Sequence, residues 1–235
     1  MTYLGFVCGT MAALKRMRPR NRGTIVQVGS ALAYRAVPLQ SAYCGAKFAI
    51  RGITDSLRTA LMHDGVEVNL VMVQMPALNT PQFDWARNKM SRRPQPVPPI
   101  FQPEIAAAAI VYAAHSRRRE VWVGGSSAQA IVANKLFPGL LDRYLAKKGY
   151  SGQLTNEPAD PRRPDNLDDP VPGDPDTHGR FDSRAANYSL QLWATEHRGA
   201  LVAGTLAIAA FITTLIVGGK PLARSLLHAE RTSSA

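Results

Sequence analysis

The sequence predicts a layered α/β fold around a parallel sheet, on three observations. Short β-branched runs recur at 23–30, 66–75 and 119–125, each bounded by turn residues. Between them lie segments with helical spacing of apolar residues. Each connection is also far longer than the roughly dozen residues that a parallel crossover needs. Strand, helix, strand, helix, strand with such crossovers reads as a sheet covered by helices.

Residues 3–17 open the chain as an amphipathic helix, stopped by "RPRNRG" with its proline and glycine. "GTIVQVGS" (23–30) is a buried strand ending at a turn, and 31–42 is a loop holding Pro38. From Ser41 or Tyr43 to about Met62 the pattern is helical, with apolar residues at 46, 49, 50, 53, 57, 60 and 61. "HDG" closes that helix, and "VEVNLVMVQM" (66–75) is a second strand, stopped by Pro76. Residues 76–103 are loop-rich, with five prolines between 94 and 103. Pro103 suits a first helical turn, so "PEIAAAAIVYAAH" (103–115) is a helix. "REVWVGG" (119–125) is the third strand, and 126–148 is a further amphipathic helix interrupted by "FPG".

Composition changes after residue 150. Residues 151–182 hold six prolines and eight acidic residues with little to bury, which predicts a disordered spacer. Gly199–Gly219 then runs 21 residues without a charge. At about 1.5 Å per residue it spans about 30 Å, the thickness of a bilayer core. Tyr188 and Trp193 before it, and Lys220 and Arg224 after it, sit where interfacial anchors belong. The prediction is a single membrane span. Its orientation stays open, because Arg184 and Arg198 on one side are matched by Lys220, Arg224 and Arg231 on the other.

The formal net charge is +11, unevenly spread: residues 1–150 hold 20 Lys/Arg against 7 Asp/Glu, and 151–235 hold 8 against 10. A basic body of this kind can meet nucleic acid, anionic lipid or a phosphorylated ligand. Scattered Lys/Arg, with neither zinc-finger spacing nor an aromatic-rich RNA motif, argue against a nucleic-acid partner. Cys8 and Cys44 fit no metal spacing and no disulfide framework, which points to a reducing compartment. Positive charges follow the first apolar run instead of preceding it, so no export signal is read.

The chemistry concentrates in "SALAYRAVPLQSAYCGAKFAIRG" (30–52). Tyr43 and Lys47 stand at i and i+4 of a predicted helix and so share a face. A free phenol, with a pKa near 10, is too weak a base at neutral pH. An ammonium one turn away favours the phenolate, and the pair can then exchange a proton with an alcohol or carbonyl. Ser30 ends a strand, where open α/β sheets hold their ligands, and its hydroxyl can hold the substrate oxygen. Ser41 and Tyr34 fall in the connecting loop without a lysine at helical spacing.

A serine at a strand end, then thirteen residues to Y-x-x-x-K on the next helix, then a strand ending in proline, resembles the short-chain dehydrogenase/reductase family. The likeness runs from about residue 1 to 125. It includes "GTIVQVGSALAYRAVPLQSAYCGAKFAIRGITDSLRTAL", "VEVNLVMVQMPALNTPQF" and "HSRRREVWVGG". It implies the C-terminal part of a Rossmann-like doubly wound sheet. It implies that Ser30 orients substrate, that Tyr43 is the general acid/base, and that Lys47 lowers the tyrosine pKa and holds the nicotinamide ribose. The cofactor would be NAD or NADP. The family's Pro-Gly turn stands here as Pro76-Ala77, and Thr80 corresponds to the threonine that contacts the carboxamide, so Pro76 and Thr80 join Tyr43 and Lys47 as cofactor-binding positions. The family commonly forms homodimers through the helices that here begin the chain and carry Tyr43.

There are departures. The family's first strands and the glycine-rich turn that seats the pyrophosphate are not in this sequence, which begins at what resembles the fourth helix. The expectation is a truncated chain, or one whose start is assigned late. The helical asparagine three residues before a glycine is Thr2 here, and the loop to Thr80 is one residue short.

The predicted organisation is a partial Rossmann-like catalytic domain at 1–125 and a helical extension at 126–150. A disordered linker follows at 151–185, then a juxtamembrane and membrane-spanning segment at 186–220 and a short basic tail at 221–235. The expected function is NAD(P)-dependent interconversion of an alcohol and a carbonyl on a small or lipophilic substrate, on the cytosolic side of a membrane. A non-catalytic membrane scaffold derived from the family, and an epimerase or dehydratase using the same trio, are the alternatives.

Overall fold

The computed structural model describes residues 2–173 and 176–232, with side chains as far as 215. The chain divides into two units, residues 1–192 and 193–235.

The first unit opens with α1 (Thr2–Met17), β1 (Gly23–Ser30), α2 (Ser41–His63) and β2 (Val68–Met75). Five short elements follow: β3 (Ala77–Leu78), the single turn α3 (Gln82–Trp85), β4 (Arg92–Pro94), β5 (Ile100–Phe101), and, after α4 (Pro103–His115), β6 (Glu120–Trp122). Beyond these come α5 (Gly125–Leu136), α6 (Pro138–Lys148), β7 (Leu154–Pro158), β8 (Ala185–Ala186) and α7 (Leu190–Glu196), which straddles the division. α8 (Arg198–Thr232) belongs to the second unit.

The main sheet is parallel throughout, in the order β1-β2-β6. Its two faces are covered by different helices, as a doubly wound sheet requires. On one face Val71, Val73, Met75, Val121 and Val123 pack against Ile105, Ala106, Ala109 and Ala113 of α4. The alanines let the α4 backbone approach the strands closely. On the other face Leu14 of α1 and Leu61 of α2 close over Ile25, Val68 and Leu70. The predicted α/β fold and its three parallel strands are therefore present, each bound within three residues of its expected place.

Gln74 sits on the α1/α2 face of β2, fully buried, and neither amide atom has a hydrogen-bond partner among the described residues. Its oxygen reaches over Gly29, where a Cβ would lie only 2.4 Å away, so any larger residue there would have to push the amide aside. A buried amide of this kind costs more than an apolar side chain of the same size. Gln74→Met is expected to raise stability by about 1–3 kcal/mol, read as a higher urea midpoint in detergent. An unchanged midpoint would mean the amide is engaged.

Two regions differ from expectation. The loop-rich stretch 76–103 supplies strands to two small sheets. β3, β5 and β8 form a parallel sheet, and β4 pairs antiparallel with β7. Both draw a strand from 154–186, which covers nearly all of the predicted spacer and packs within the first unit. Its acidic residues find arginines in the 76–103 loop: Asp165 with Arg87 at 2.8 Å and Glu157 with Arg93 at 2.9 Å. Phe181 is buried, edge-on to Phe83 at 6.0 Å between ring centres. Prolines and acids are the composition of a solvated spacer only when no complementary surface exists, and here the loop provides one.

In the second unit, Arg198–Leu215 is an apolar helical stretch of 18 residues, mean hydropathy 1.6, none of it buried. The basic tail expected at 221–235 falls on the last turns of α8 and on 233–235, which lie outside the described residues.

Candidate active site

β1 ends at Ser30 because the chain turns there: the Leu32 amide donates to Ser30 Oγ at 3.1 Å and opens a short helical turn. Ser30 is buried. Met75 is its register partner on β2, so Pro76 leaves the neighbouring strand at the same carboxyl edge. α2 starts at Ser41 and presents Tyr43 and Lys47 in its first two turns.

These three residues meet. Burial pushes the Tyr43 phenol above its ordinary pKa, the Ser30 hydroxyl beside it pulls it down by less, and Cys44 adds a further upward push. The Lys47 ammonium lies 5.5 Å from the centre of the Tyr43 ring and donates to the Val28 carbonyl at 3.1 Å. Burial pulls Lys47 down. The expected direction for Tyr43 is therefore reversed: desolvation outweighs every favourable influence on the phenolate. The residue nonetheless exposes 41% of its surface, so a ligand can reach it.

Tyr34, the other tyrosine of the segment, is committed elsewhere. Its hydroxyl donates to the Glu120 carboxylate at 2.6 Å, and Trp122 Nε1 donates to the same group at 2.9 Å. Arg51 stacks on its ring at 3.9 Å. Burial first, then the hydrogen bond to Glu120, drives its pKa far above the ordinary value. Tyr34 holds its proton and organises the loop between β1 and α2.

Thr80 is placed differently from the trio. It follows β3 and lies beneath residues 176–182: a Cβ on Gly179 would stand 2.5 Å from the Thr80 carbonyl oxygen. Its neighbour Asn79 is the residue that sequence reasoning missed. Fully buried, Asn79 donates to Gln102 Oε1 at 3.0 Å and to Asp182 Oδ1 at 2.8 Å, and accepts from the Phe181 amide at 3.0 Å. An asparagine in a proline-rich loop gives no local signal of this, because its partner Asp182 is 103 residues away.

A nicotinamide cofactor fits at one end. A phenol and an ammonium on one helix face, beside a serine hydroxyl at a strand's carboxyl edge, suit a ribose and a reacting carbon–oxygen bond. A glycine-rich strand-to-helix turn for the pyrophosphate is not among these 235 residues.

Residues 1–88 match the family model described as short chain dehydrogenase. The "Uncharacterized oxidoreductase YxnA" of Bacillus subtilis is 32% identical over 169 residues, 71% of this chain and 48% of that protein. Human "Dehydrogenase/reductase SDR family member 7" is 44% identical over 61 residues, 26% of this chain and 18% of that protein. A solved short chain dehydrogenase from Burkholderia cenocepacia, in complex with NADP, aligns at a TM-score of 0.48 and 22% identity, over 61% of this chain and 55% of that one. The chain spans about half the length, or less, of these relatives. Residues 1–88, which hold β1, α2 and β2, are thus similar to the short chain dehydrogenase family.

Proposed function

We propose that the chain carries the catalytic segment of an NAD(P)-dependent oxidoreductase that interconverts an alcohol and a carbonyl. The placement of the Ser30 hydroxyl beside the Tyr43 phenol, with Lys47 5.5 Å from the centre of the tyrosine ring, carries this reading. A nicotinamide ring, when bound, supplies or accepts the hydride. Ser30 Oγ holds the substrate oxygen next to the Tyr43 hydroxyl. In carbonyl reduction Tyr43 gives its proton to that oxygen as it becomes an alcohol; in the reverse direction the phenolate takes the proton back. The raised Tyr43 pKa keeps the phenol protonated at neutral pH, which favours the acid role and hence reduction. Lys47 would hold the nicotinamide ribose by exchanging its bond to Val28, with Pro76 and Thr80 on the carboxamide side.

The test is NADH and NADPH binding and oxidation by the protein isolated from its native cells, with carbonyl compounds of rising apolarity. Nucleotide consumed in step with alcohol formed supports the reading. Nucleotide recycled without net consumption would point to an epimerase or dehydratase, and no nucleotide binding would leave a membrane scaffold.

Exposed Leu4 and Met11 on α1, with Phe48 and Met62 on α2, support pairing of two copies through these helices. The unburied apolar stretch of α8 supports a membrane anchor, and with it a lipophilic substrate. Alkaline carbonate extraction is expected to leave the protein in the membrane pellet. Release into the supernatant would remove the anchor from this reading.

A further inference from the structure

The α5–α6 hairpin is held to the body by its inner side and left uncovered on its outer side. Ile131 of α5 is fully buried in a cluster with Ala33, Tyr34 and Trp122. Arg35 clasps the hairpin from within, donating to Asn134 at 3.1 Å and to Asp142 at 2.6 Å. On α6 the packing thins: Leu141 and Leu145 are half-buried, and Gly149 just after the helix lies against Pro38. α6 contains no buried residue, although helices of this length in water depend on burying an apolar face. Six consecutive residues at the tip, Lys135 to Leu140, are all exposed, and four of them are apolar. Leu136, Phe137, Leu140 and Tyr144 each expose 60% of their surface or more. A contiguous apolar run left open to solvent marks an interaction site.

The charge around it is one-sided. Residues 125–148 hold four basic side chains, Lys135, Arg143, Lys147 and Lys148, and a single acid, Asp142. That acid is paired to Arg35, so the rim of the patch is positive. An apolar wedge with a basic rim on a short helix complements the headgroup region of an anionic bilayer: the apolar tip enters the acyl boundary while the ammonium and guanidinium groups stay with the lipid phosphates.

We propose that the α5–α6 tip docks the first unit on an anionic membrane surface through Leu136, Phe137, Leu140 and Tyr144, with Lys135, Arg143, Lys147 and Lys148 as its charge-matching rim. The inference rests partly on the membrane reading of α8, and the two fail separately. Carbonate extraction reports on α8, whereas a probe on the hairpin reports on docking.

The experiment places a polarity-sensitive fluorophore at Phe137→Cys in the full chain carrying Cys8→Ser, since Cys8 is exposed and Cys44 buried. The protein is reconstituted into phosphatidylcholine vesicles with and without phosphatidylserine, both containing a bromine-labelled quencher lipid. The probe is expected to shift to the blue and to lose most of its emission in the phosphatidylserine vesicles. The same probe at Leu167→Cys, on the acidic segment, is expected to stay unquenched. Lys147→Glu with Lys148→Glu is expected to abolish the phosphatidylserine-dependent quenching at position 137 while leaving carbonate extraction unchanged. A position-137 probe that stays in water on anionic vesicles, or that is quenched no more than position 167, overturns the proposal. So does protection of position 137 only when another protein is added, which would make the tip a protein-docking site.

Discussion

Tyr43→Phe is expected to lower kcat by about 10²- to 10⁴-fold, the share that a positioned general acid or base contributes. The change removes one oxygen from a partly exposed ring, so the fold should survive. Its structural cost is the polar contact with Ser30, at most about 1 kcal/mol. The pH dependence separates this role from a merely structural one. Because the Tyr43 pKa is raised, alcohol oxidation, which needs the phenolate, should still be climbing at the ordinary tyrosine pKa near 10. Carbonyl reduction, which needs the phenol, should be flat through neutrality and fall only in alkali. Ser30→Ala removes the one interaction that pulls the phenol down, so it should move the oxidation profile to still higher pH as well as lowering kcat. Tyr43→Phe with unchanged kcat in both directions would take the acid/base role away from this residue.

The trio was legible because each member is fixed by a strong local pattern. Ser30 ends a β-branched run, and Tyr43 and Lys47 are a helical i, i+4 pair. What was not legible is the balance of forces on Tyr43. Sequence spacing announces the lysine, but desolvation depends on what packs around the phenol, and Lys47 spends a proton on the Val28 carbonyl. The same limit explains the 151–186 segment. Its prolines and acids read as a disordered spacer, and that reading holds only where no complementary surface exists. Their partners Arg87, Arg93 and Asn79 lie more than sixty residues upstream, and nothing local distinguishes a docked strap from a free one. The unpaired amide of Gln74 was hidden for the opposite reason: "VNLVMVQM" holds two polar residues, and nothing local tells Gln74 from Asn69, whose amide donates to the Ser116 carbonyl at 2.8 Å.

Asn79→Ala should release that strap. Asn79 uses both amide hydrogens and its oxygen, and Gln102 adds a bond of its own to Asp182 at 2.9 Å. Truncation leaves the buried Phe181 amide and the Gln102 oxygen without their partner. Unmade bonds at buried sites cost more than the net worth of a made one, so the loss is about 2–4 kcal/mol. That is enough to open a surface segment held by few other buried groups, because local unfolding draws on local stability. Hydrogen exchange is the measurement: amides at 176–186 should lose protection by about two orders of magnitude while those of β1 and β2 keep theirs. Asn79→Asp keeps the acceptor for Phe181 but sets a carboxylate against Asp182 and forfeits both donors. It should loosen the strap as much as alanine does at neutral pH and recover in acid, when a carboxyl proton restores one donor. Unaltered exchange at 176–186 in both variants would assign the docking of the strap to its arginine pairs. In that case Arg87→Ala and Arg93→Ala together, and not Asn79, would free it.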